Sequence, residues 1–173
     1  SYVLESTPSL RGAARAGRLR FGTIDTWLIW QLSGGRLHVT DASTASRTML
    51  FNINKLAWDD DLLALFDVPR SLLPEVRASA GLVGELEVDA GRRLPLWAML
   101  VDQQAALFGQ ACFQPGDAKC TFGTGSFLLM NTGATPRHSQ HGLLATVAWQ
   151  LPAGATYALD GGIFVTGAAV QWL

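Results

Sequence analysis

The sequence predicts a mixed α/β fold, and three observations indicate this class. Segments with apolar residues at helical spacing alternate with short apolar runs of strand length. Glycine-rich turns follow several of the strand-like runs, at points where the chain has to reverse direction. No internal repeat or low-complexity segment interrupts this pattern. Helices and strands mixed in this way are typical of helices that pack on a sheet.

The first half of the chain predicts short helices separated by strands. Asp25 or Thr26 is the expected N-cap of an apolar helix. Three aspartates lie in the first turn of a later helix, where the helix dipole favours negative charge. The predicted elements are a helix over residues 5–17, a strand or turn over 20–23, a helix over 27–32, a strand over 36–40, a helix over 58–66 and one helical turn over 71–73.

The second half of the chain is richer in strands. The strand that leads into Asp102 is expected to be buried, because nearly all its residues are apolar. The predicted elements are strands over residues 82–88 and 94–101, a helix over 103–110, strands over 118–122, 127–131, 143–150 and 156–159, and a final helix from about Phe164. We expect a domain boundary in the turn-rich segment 113–117, so that residues 1–112 and 113–173 belong to different domains.

The composition favours a piece of a larger protein. Apolar residues make up 49% of the 173 residues and charged residues only 16%, whereas about 25% charged is typical. Such a chain needs a large core or an interface that covers its apolar surface. The chain begins without methionine and stops inside a predicted helix, so we expect both ends to be cuts.

Charge and motif content argue against several function classes. The net charge of −1 gives no electrostatic reason to expect a nucleic-acid partner. No apolar run approaches the roughly 20 residues of a membrane span, and a cytoplasmic protein is therefore expected. Cys112, Cys120 and the three histidines match neither a disulfide framework nor a structural zinc pattern.

Asp102 is the first candidate for chemistry. An apolar strand runs directly into it, and ligand sites of open α/β sheets lie beyond the carboxyl ends of strands. An aspartate at this position is also a good helix N-cap, because its carboxylate can accept bonds from the first free N–H groups. The local pattern leaves both roles open, and the two are compatible.

Two glycine-containing segments are the other candidates for a functional role. The turn Gly123-Thr124-Gly125 joins two apolar strands and can approach phosphate oxygens closely, although the local pattern by itself favours an ordinary hairpin turn. It is neither a Walker A loop nor a dinucleotide fingerprint. The second segment is Gly161-Gly162 followed by Thr166-Gly167. Its small residues are compatible either with an anion bound at the start of a helix or with close packing of that helix.

The segments that carry these motifs resemble, in the same order, the glycerol kinases of the FGGY carbohydrate-kinase family. The similarity covers nearly the whole chain from Phe21. The matching stretches are Phe-Gly-Thr-Ile-Asp-Thr-Trp-Leu-Ile-Trp at residues 21–30, Ala-Ser-Arg-Thr-Met-Leu-Phe-Asn-Ile at 45–53, Asp-Gln-Gln-Ala-Ala-Leu-Phe-Gly-Gln at 102–110, Phe-Gly-Thr-Gly-Ser-Phe at 122–127, Met-Asn-Thr-Gly at 130–133 and Thr-Gly-Ala-Ala-Val-Gln-Trp-Leu at 166–173.

The resemblance implies the RNase H-like fold of the actin/hexokinase type, with parts of two domains in this chain. It also implies that Asp102 is the base that takes a proton from the terminal hydroxyl of glycerol, which then attacks the γ-phosphate of ATP to give sn-glycerol 3-phosphate. Gln103 would bond a glycerol hydroxyl, and Phe127 would pack against the polyol carbons. Val101 departs from the family, which usually has glycine before this aspartate.

The nucleotide side follows from the same resemblance. Gly123 and Thr124 would contact the ATP phosphates, whereas Gly167 and Gln171 would lie beside the nucleotide. The aspartate associated with Mg²⁺ belongs to a part of the family sequence that is absent here, as do other glycerol-binding residues. We therefore expect this chain alone to be inactive, and its full-length parent to be a homo-oligomer. The alternatives are a related kinase for another polyol or sugar, and a non-catalytic module that binds a nucleotide or a partner.

Overall fold

The computed structural model describes residues 2–89 and 91–173 and divides the chain into two compact units. The first unit ends at Met99, and the second comprises Leu100–Leu173. Both units combine helices with strands, which confirms the predicted α/β class. None of the helices within the described residues is long and apolar enough to cross a membrane.

The first unit is built from short elements. In the part that the structure describes, its strands pair two by two: β1 with β4 in parallel, and β2 with β3 and β5 with β6 antiparallel. A short 3₁₀ helix, Arg70–Leu72, precedes β4. The elements are α1 (Tyr2–Ser6), α2 (Pro8–Arg15), α3 (Ile24–Leu32), β1 (Val39–Asp41), α4 (Ala42–Ala45), β2 (Phe51–Asn52), β3 (Ala57–Trp58), α5 (Asp60–Leu65), β4 (Glu75–Arg77), β5 (Ala80–Asp89) and β6 (Arg92–Ala98).

Two apolar clusters hold the first unit together. One packs α3 against β1 and β5 through Ile29, Val39 and Val83. The other packs α1 and α2 against the 3₁₀ helix, with Leu4 and Leu72 at its centre. Each element is too short to be stable alone, so this burial of apolar side chains supplies most of its stability.

The predicted cap of α3 is wrong. The helix begins at Ile24, and Thr23 is the N-cap residue, so that Asp25 and Thr26 both lie inside the first turn. The Asp25 carboxylate instead accepts hydrogen bonds from the hydroxyls of Thr23 and Thr40, the latter at 2.8 Å. The side chain therefore bonds to β1 rather than to the helix end, which helical periodicity could not indicate.

The prediction of a buried strand before Asp102 is also wrong. The strand is β6, which ends at Ala98, and most of its residues are exposed. Among the described residues it pairs with β5 alone, and this pairing is antiparallel rather than the parallel pairing of an open α/β sheet. Apolar composition predicted burial here, but a two-stranded ribbon leaves much of its surface uncovered within the described residues.

The second unit is a four-stranded antiparallel sheet with a helix packed on it. The strand order is β7-β8-β10-β9. Leu107 of the helix and Leu129 and Trp149 of the sheet form the centre of the core between them. The elements are α6 (Asp102–Gly109), β7 (Ala118–Phe122), β8 (Ser126–Gly133), β9 (Leu144–Leu151), β10 (Gly154–Ile163) and α7 (Gly167–Trp172).

The last strand and helix differ from their predicted bounds. β10 extends to Ile163, which pairs with Ser126 of β8, although the predicted strand stopped at residue 159. The final helix consequently begins at Gly167 rather than near Phe164. Glycines at 161 and 162 resemble a strand end in the sequence, but ladder pairing with β8 carries the strand through them.

Candidate active site

Asp102 is the first residue of α6, and its side chain is exposed. The N-cap position belongs to Val101, whose backbone is extended and which makes no side-chain cap. The Asp102 carboxylate accepts a hydrogen bond of 2.7 Å from the backbone N–H of Gln103. Of the two roles that the sequence left open, the N-cap is therefore wrong. The carboxylate lies where the field of the helix favours negative charge, and it remains accessible to a ligand.

A buried lysine, Lys119, forms a hydrogen bond with the side chain of Gln103. Lys119, the second residue of β7, is only 3% exposed. Its ammonium group donates hydrogen bonds to Oε1 of Gln103 and, at 2.8 Å, to Oγ1 of Thr121. Residues two apart on a strand point to the same face, so Lys119 and Thr121 both point toward α6. These contacts join the start of the helix to the face of the sheet.

Phe127 lies on the same face of the sheet. It is the direct partner of Thr121 in the β7–β8 ladder and of Gly162 in the β8–β10 ladder. A Cβ atom on Gly162 would lie 3.3 Å from the Phe127 ring, so the ring packs over this glycine. Directly opposed residues of an antiparallel pair project to one side. The structure therefore brings Gln103, Lys119, Thr121 and Phe127 to one surface.

The β7–β8 turn presents free donors. The N–H of Gly123 donates to the carbonyl of Gly125 at 2.8 Å and closes the turn. Within residues 2–89 and 91–173, neither the N–H nor the hydroxyl of Thr124 has a hydrogen-bond partner. Exposed backbone N–H groups in a tight turn suit an anion such as a phosphate. This arrangement fits the phosphates of a nucleotide, which the sequence resemblance implies for this turn.

The start of α7 is fixed on that turn. The N–H groups of Thr166 and Gly167 donate to the carbonyls of Thr124 and Gly123 at 2.8 and 3.0 Å. A Cβ atom on Gly167 would lie 2.4 Å from the Gly123 carbonyl oxygen, so only glycine fits here. Close packing, one of the two explanations left open by the sequence, therefore accounts for this glycine. Gln171 lies exposed further along α7.

The sequence analysis missed Lys119 as a site residue. Burial lowers the pKa of its ammonium group from the usual 10.5, whereas the negative charges of Asp102 and Asp160 raise it. Alternation along β7 places the lysine on the same face as Thr121, but an isolated lysine in a strand usually points to solvent. Only the packing of α6 on this face shows that the lysine is buried beside the side chain of Gln103.

The comparison with solved structures defines the class of protein. The glycerol kinase of Plasmodium falciparum, solved with ADP, matches 99% of this chain and 35% of its own, with a TM-score of 0.93 and 36% identity. The xylulose kinase of Rhodospirillum rubrum matches 99% of this chain and 34% of its own, with a TM-score of 0.78 and 22% identity. The fold is thus the RNase H-like, actin/hexokinase-type fold of these kinases, as predicted, and this chain is part of it.

The family follows from the sequence comparison. The model of the N-terminal domain of the FGGY family of carbohydrate kinases matches residues 1–109. The chain belongs to the FGGY family of carbohydrate kinases. The glycerol kinase of Methylobacterium nodulans is 57% identical over 100% of this chain, and that of Nitratidesulfovibrio vulgaris (strain DP4) is 54% identical over 99%. The chain spans 35% of the length of each of these relatives.

Proposed function

We propose that this chain is the part of an ATP-dependent glycerol kinase that carries the catalytic base. The observation that carries the proposal is that Asp102 and Gln103 open α6 while Lys119 bonds both Gln103 and Thr121, the ladder partner of Phe127, next to a turn with free donors. The names of the relatives, which are glycerol kinases at 54–57% identity, support glycerol as the substrate. The ADP bound to the Plasmodium enzyme supports the nucleotide.

In the proposed reaction, the Asp102 carboxylate accepts the proton of the terminal hydroxyl of glycerol. The hydroxyl oxygen forms a bond to the γ-phosphorus of ATP as the bond to the β–γ bridging oxygen breaks, which leaves ADP and sn-glycerol 3-phosphate. Positioning and charge stabilisation dominate catalysis of phosphoryl transfer. Gln103 orients a hydroxyl of glycerol, and the Phe127 ring packs against its carbons.

The same proposal assigns the nucleotide side. The Thr124 N–H and the neighbouring Gly123 backbone lie against the phosphates, and Gly167 and Gln171 face the rest of the nucleotide. Mg²⁺ would neutralise phosphate charge when bound with ATP, and we assign it no ligand in this chain. Within the described residues, no group of three or more histidine, cysteine, aspartate or glutamate side chains could hold a metal ion.

We also infer that residues 1–112 belong to the glycerol-side domain and residues 113–173 to the nucleotide-side domain. The family match ends at residue 109, close to this boundary. Because the chain spans about a third of its relatives, we expect it to be inactive without the remainder of such a kinase.

The test is a coupled assay of ADP release on the product of the complete reading frame and on the 173-residue chain. We expect glycerol-dependent release from the former only. Asp102→Asn should reduce kcat by roughly 10²–10⁴-fold, the usual contribution of a general base. The control is Asp61→Asn, which changes an exposed aspartate of α5 in the same way and should leave turnover unchanged.

Two results would contradict the proposal. Near-parental turnover of Asp102→Asn would remove the base assignment, and activity of the 173-residue chain would remove the expectation that it is inactive alone. Parallel assays with erythritol and xylulose identify the substrate, since a related kinase would prefer one of them to glycerol.

A further inference from the structure

Lys119 is a buried charge that the proposed reaction does not use. Its side chain is 3% exposed, and transferring an ammonium group out of water is costly unless hydrogen bonds and nearby charges compensate. An apolar residue would suit this buried position on the edge strand better, because Leu129, its partner across the ladder, is fully buried. The compensation for Lys119 comes from candidate site residues.

The contact with Gln103 fixes the orientation of that amide. An ammonium group has three donors and no acceptor, so only the amide oxygen of Gln103 can face it. The structure places Oε1 of Gln103 on the Lys119 ammonium group. The amide NH₂ group is consequently directed away from Lys119 and is available as a donor. A glycerol hydroxyl beside Gln103 would therefore accept a hydrogen bond.

Acids on two elements offset part of the cost of burying Lys119. Asp102 at the start of α6 and Asp160 of β10 both favour the charged ammonium form, although burial outweighs them and lowers the pKa of Lys119. One buried lysine thus contacts or attracts both polar residues of the proposed glycerol site.

We propose that Lys119 is a positioning residue of this site: through its hydrogen bond it orients the Gln103 amide so that the amide NH₂ group is a donor for substrate. The substrate role of this arrangement rests on the proposed function. The contact between Lys119 and Gln103 does not, and it can be measured on the chain without substrate.

The kinetic arm compares Lys119→Met with the parent in the product of the complete reading frame. We expect KM for glycerol to rise roughly ten- to a hundredfold, the range for loss of a charged hydrogen-bond partner. KM for ATP should change less than about twofold, because the expected effect is confined to the glycerol site. A general loss of structure would instead raise both KM values. The control is Lys55→Met, which changes the exposed second lysine of the chain and should alter neither constant.

A double-mutant cycle separates positioning from a structural role. If Lys119 acts through Gln103, then Lys119→Met should raise KM for glycerol much less in a Gln103→Ala background than in the parent. Additive effects, or equal changes in both KM values, would overturn the proposal. If Lys119→Met does not fold, Lys119→Arg decides. It keeps the charge but moves the donors, so a glycerol-specific rise in KM is expected and an unchanged KM would refute the idea.

The substrate-free arm uses the 173-residue chain labelled with ¹⁵N in its lysines, Lys55 and Lys119. Buried ammonium protons that are hydrogen-bonded exchange slowly with water, so Lys119 should give a resolved signal that moves in Gln103→Leu but not in Lys55→Met. An unmoved signal would overturn the positioning of Gln103. If this signal shifts but the unmutated product of the complete reading frame does not phosphorylate glycerol, the result counts against the proposed function alone.

Discussion

Leu129 and Leu128 are neighbouring leucines on opposite faces of β8, and they provide a test of how the sheet of the second unit is packed. Leu129 is 0% exposed and belongs to the core that α6 covers, whereas Leu128 is 44% exposed. The same substitution at the two positions removes the same atoms from a strand. Any difference in the free energy lost therefore reports how the two side chains are buried and packed.

The expected cost differs between the two positions. Leu→Ala removes the equivalent of about three methylene groups, or roughly 2.4 kcal/mol of transfer free energy at full burial. Around Leu129 the helix and sheet can close the resulting cavity only in part, which raises the loss for Leu129→Ala to about 3–5 kcal/mol. Leu128→Ala should cost about 1 kcal/mol, because much of that side chain is already in water.

The assay is urea unfolding of the chain followed by circular dichroism, with hydrogen exchange of peptides that cover β8. The urea concentration at the midpoint of unfolding should fall for both variants, and much further for Leu129→Ala. The slope of the unfolding free energy against urea concentration should stay unchanged. Losses that agree within about 0.5 kcal/mol would refute the packing of α6 on this face of the sheet. A larger loss for Leu128→Ala would show that the other face is the packed one.

Two further predictions concern a glycine and a helix cap. Gly167→Ala should destabilise the β7–β8 turn by about 1–3 kcal/mol, because the new Cβ atom would lie 2.4 Å from a backbone oxygen of Gly123. Faster hydrogen exchange in the turn measures this effect, and Gly123→Ala, where the nearest atom is 3.6 Å away, should show little. Asp59, the N-cap residue of α5, has a pKa below its ordinary value of 3.8, chiefly because Asn52 donates a hydrogen bond to its carboxylate. The stability that this hydrogen bond contributes is fully present above the pKa that Asp59 has in the unfolded chain. It is lost as pH falls through the pKa of Asp59 in the folded chain. The difference in Tm between the unmutated chain and Asn52→Ala should therefore narrow in acid. A difference that stays constant with pH would contradict that linkage.

Most elements of the second unit could be predicted from the sequence. The strands over 118–122, 127–131 and 143–150 agree with β7, β8 and β9, because each shows an apolar run bounded by turn residues. The helix after Asp102 was predicted within one residue at each end. These segments have local patterns that agree with their tertiary environment, and such agreement is what makes a prediction reliable.

The errors fall where tertiary contacts decide. Asp25 looked like a helix cap, but it bonds Thr40 of β1, fifteen residues away. The strand before Asp102 looked buried, yet β6 lies in a two-stranded ribbon. Apolar content and local polarity describe what a segment can do, whereas burial and partner choice depend on elements that are remote in sequence.

Family membership and the candidate residues were accessible from the order of the motifs, because each motif is a short run of residues with a local geometric requirement. Asp102 after an extended residue and a glycine turn between two strands are features of this kind. The division of the chain at residue 112 stays a prediction, as do the roles of the site residues.

The sequence by itself determined the α/β class, the order of most elements of the second unit and the residue types available to a phosphotransfer site. Only the tertiary structure decided which of those residues meet. Gln103 lies at a helix start, and Lys119 bonds both Gln103 and Thr121, the ladder partner of Phe127, because α6 packs on the face of the sheet to which alternate residues of β7 point. The contact between Lys119 and Gln103 joins residues sixteen apart in the chain, and no local pattern encodes it.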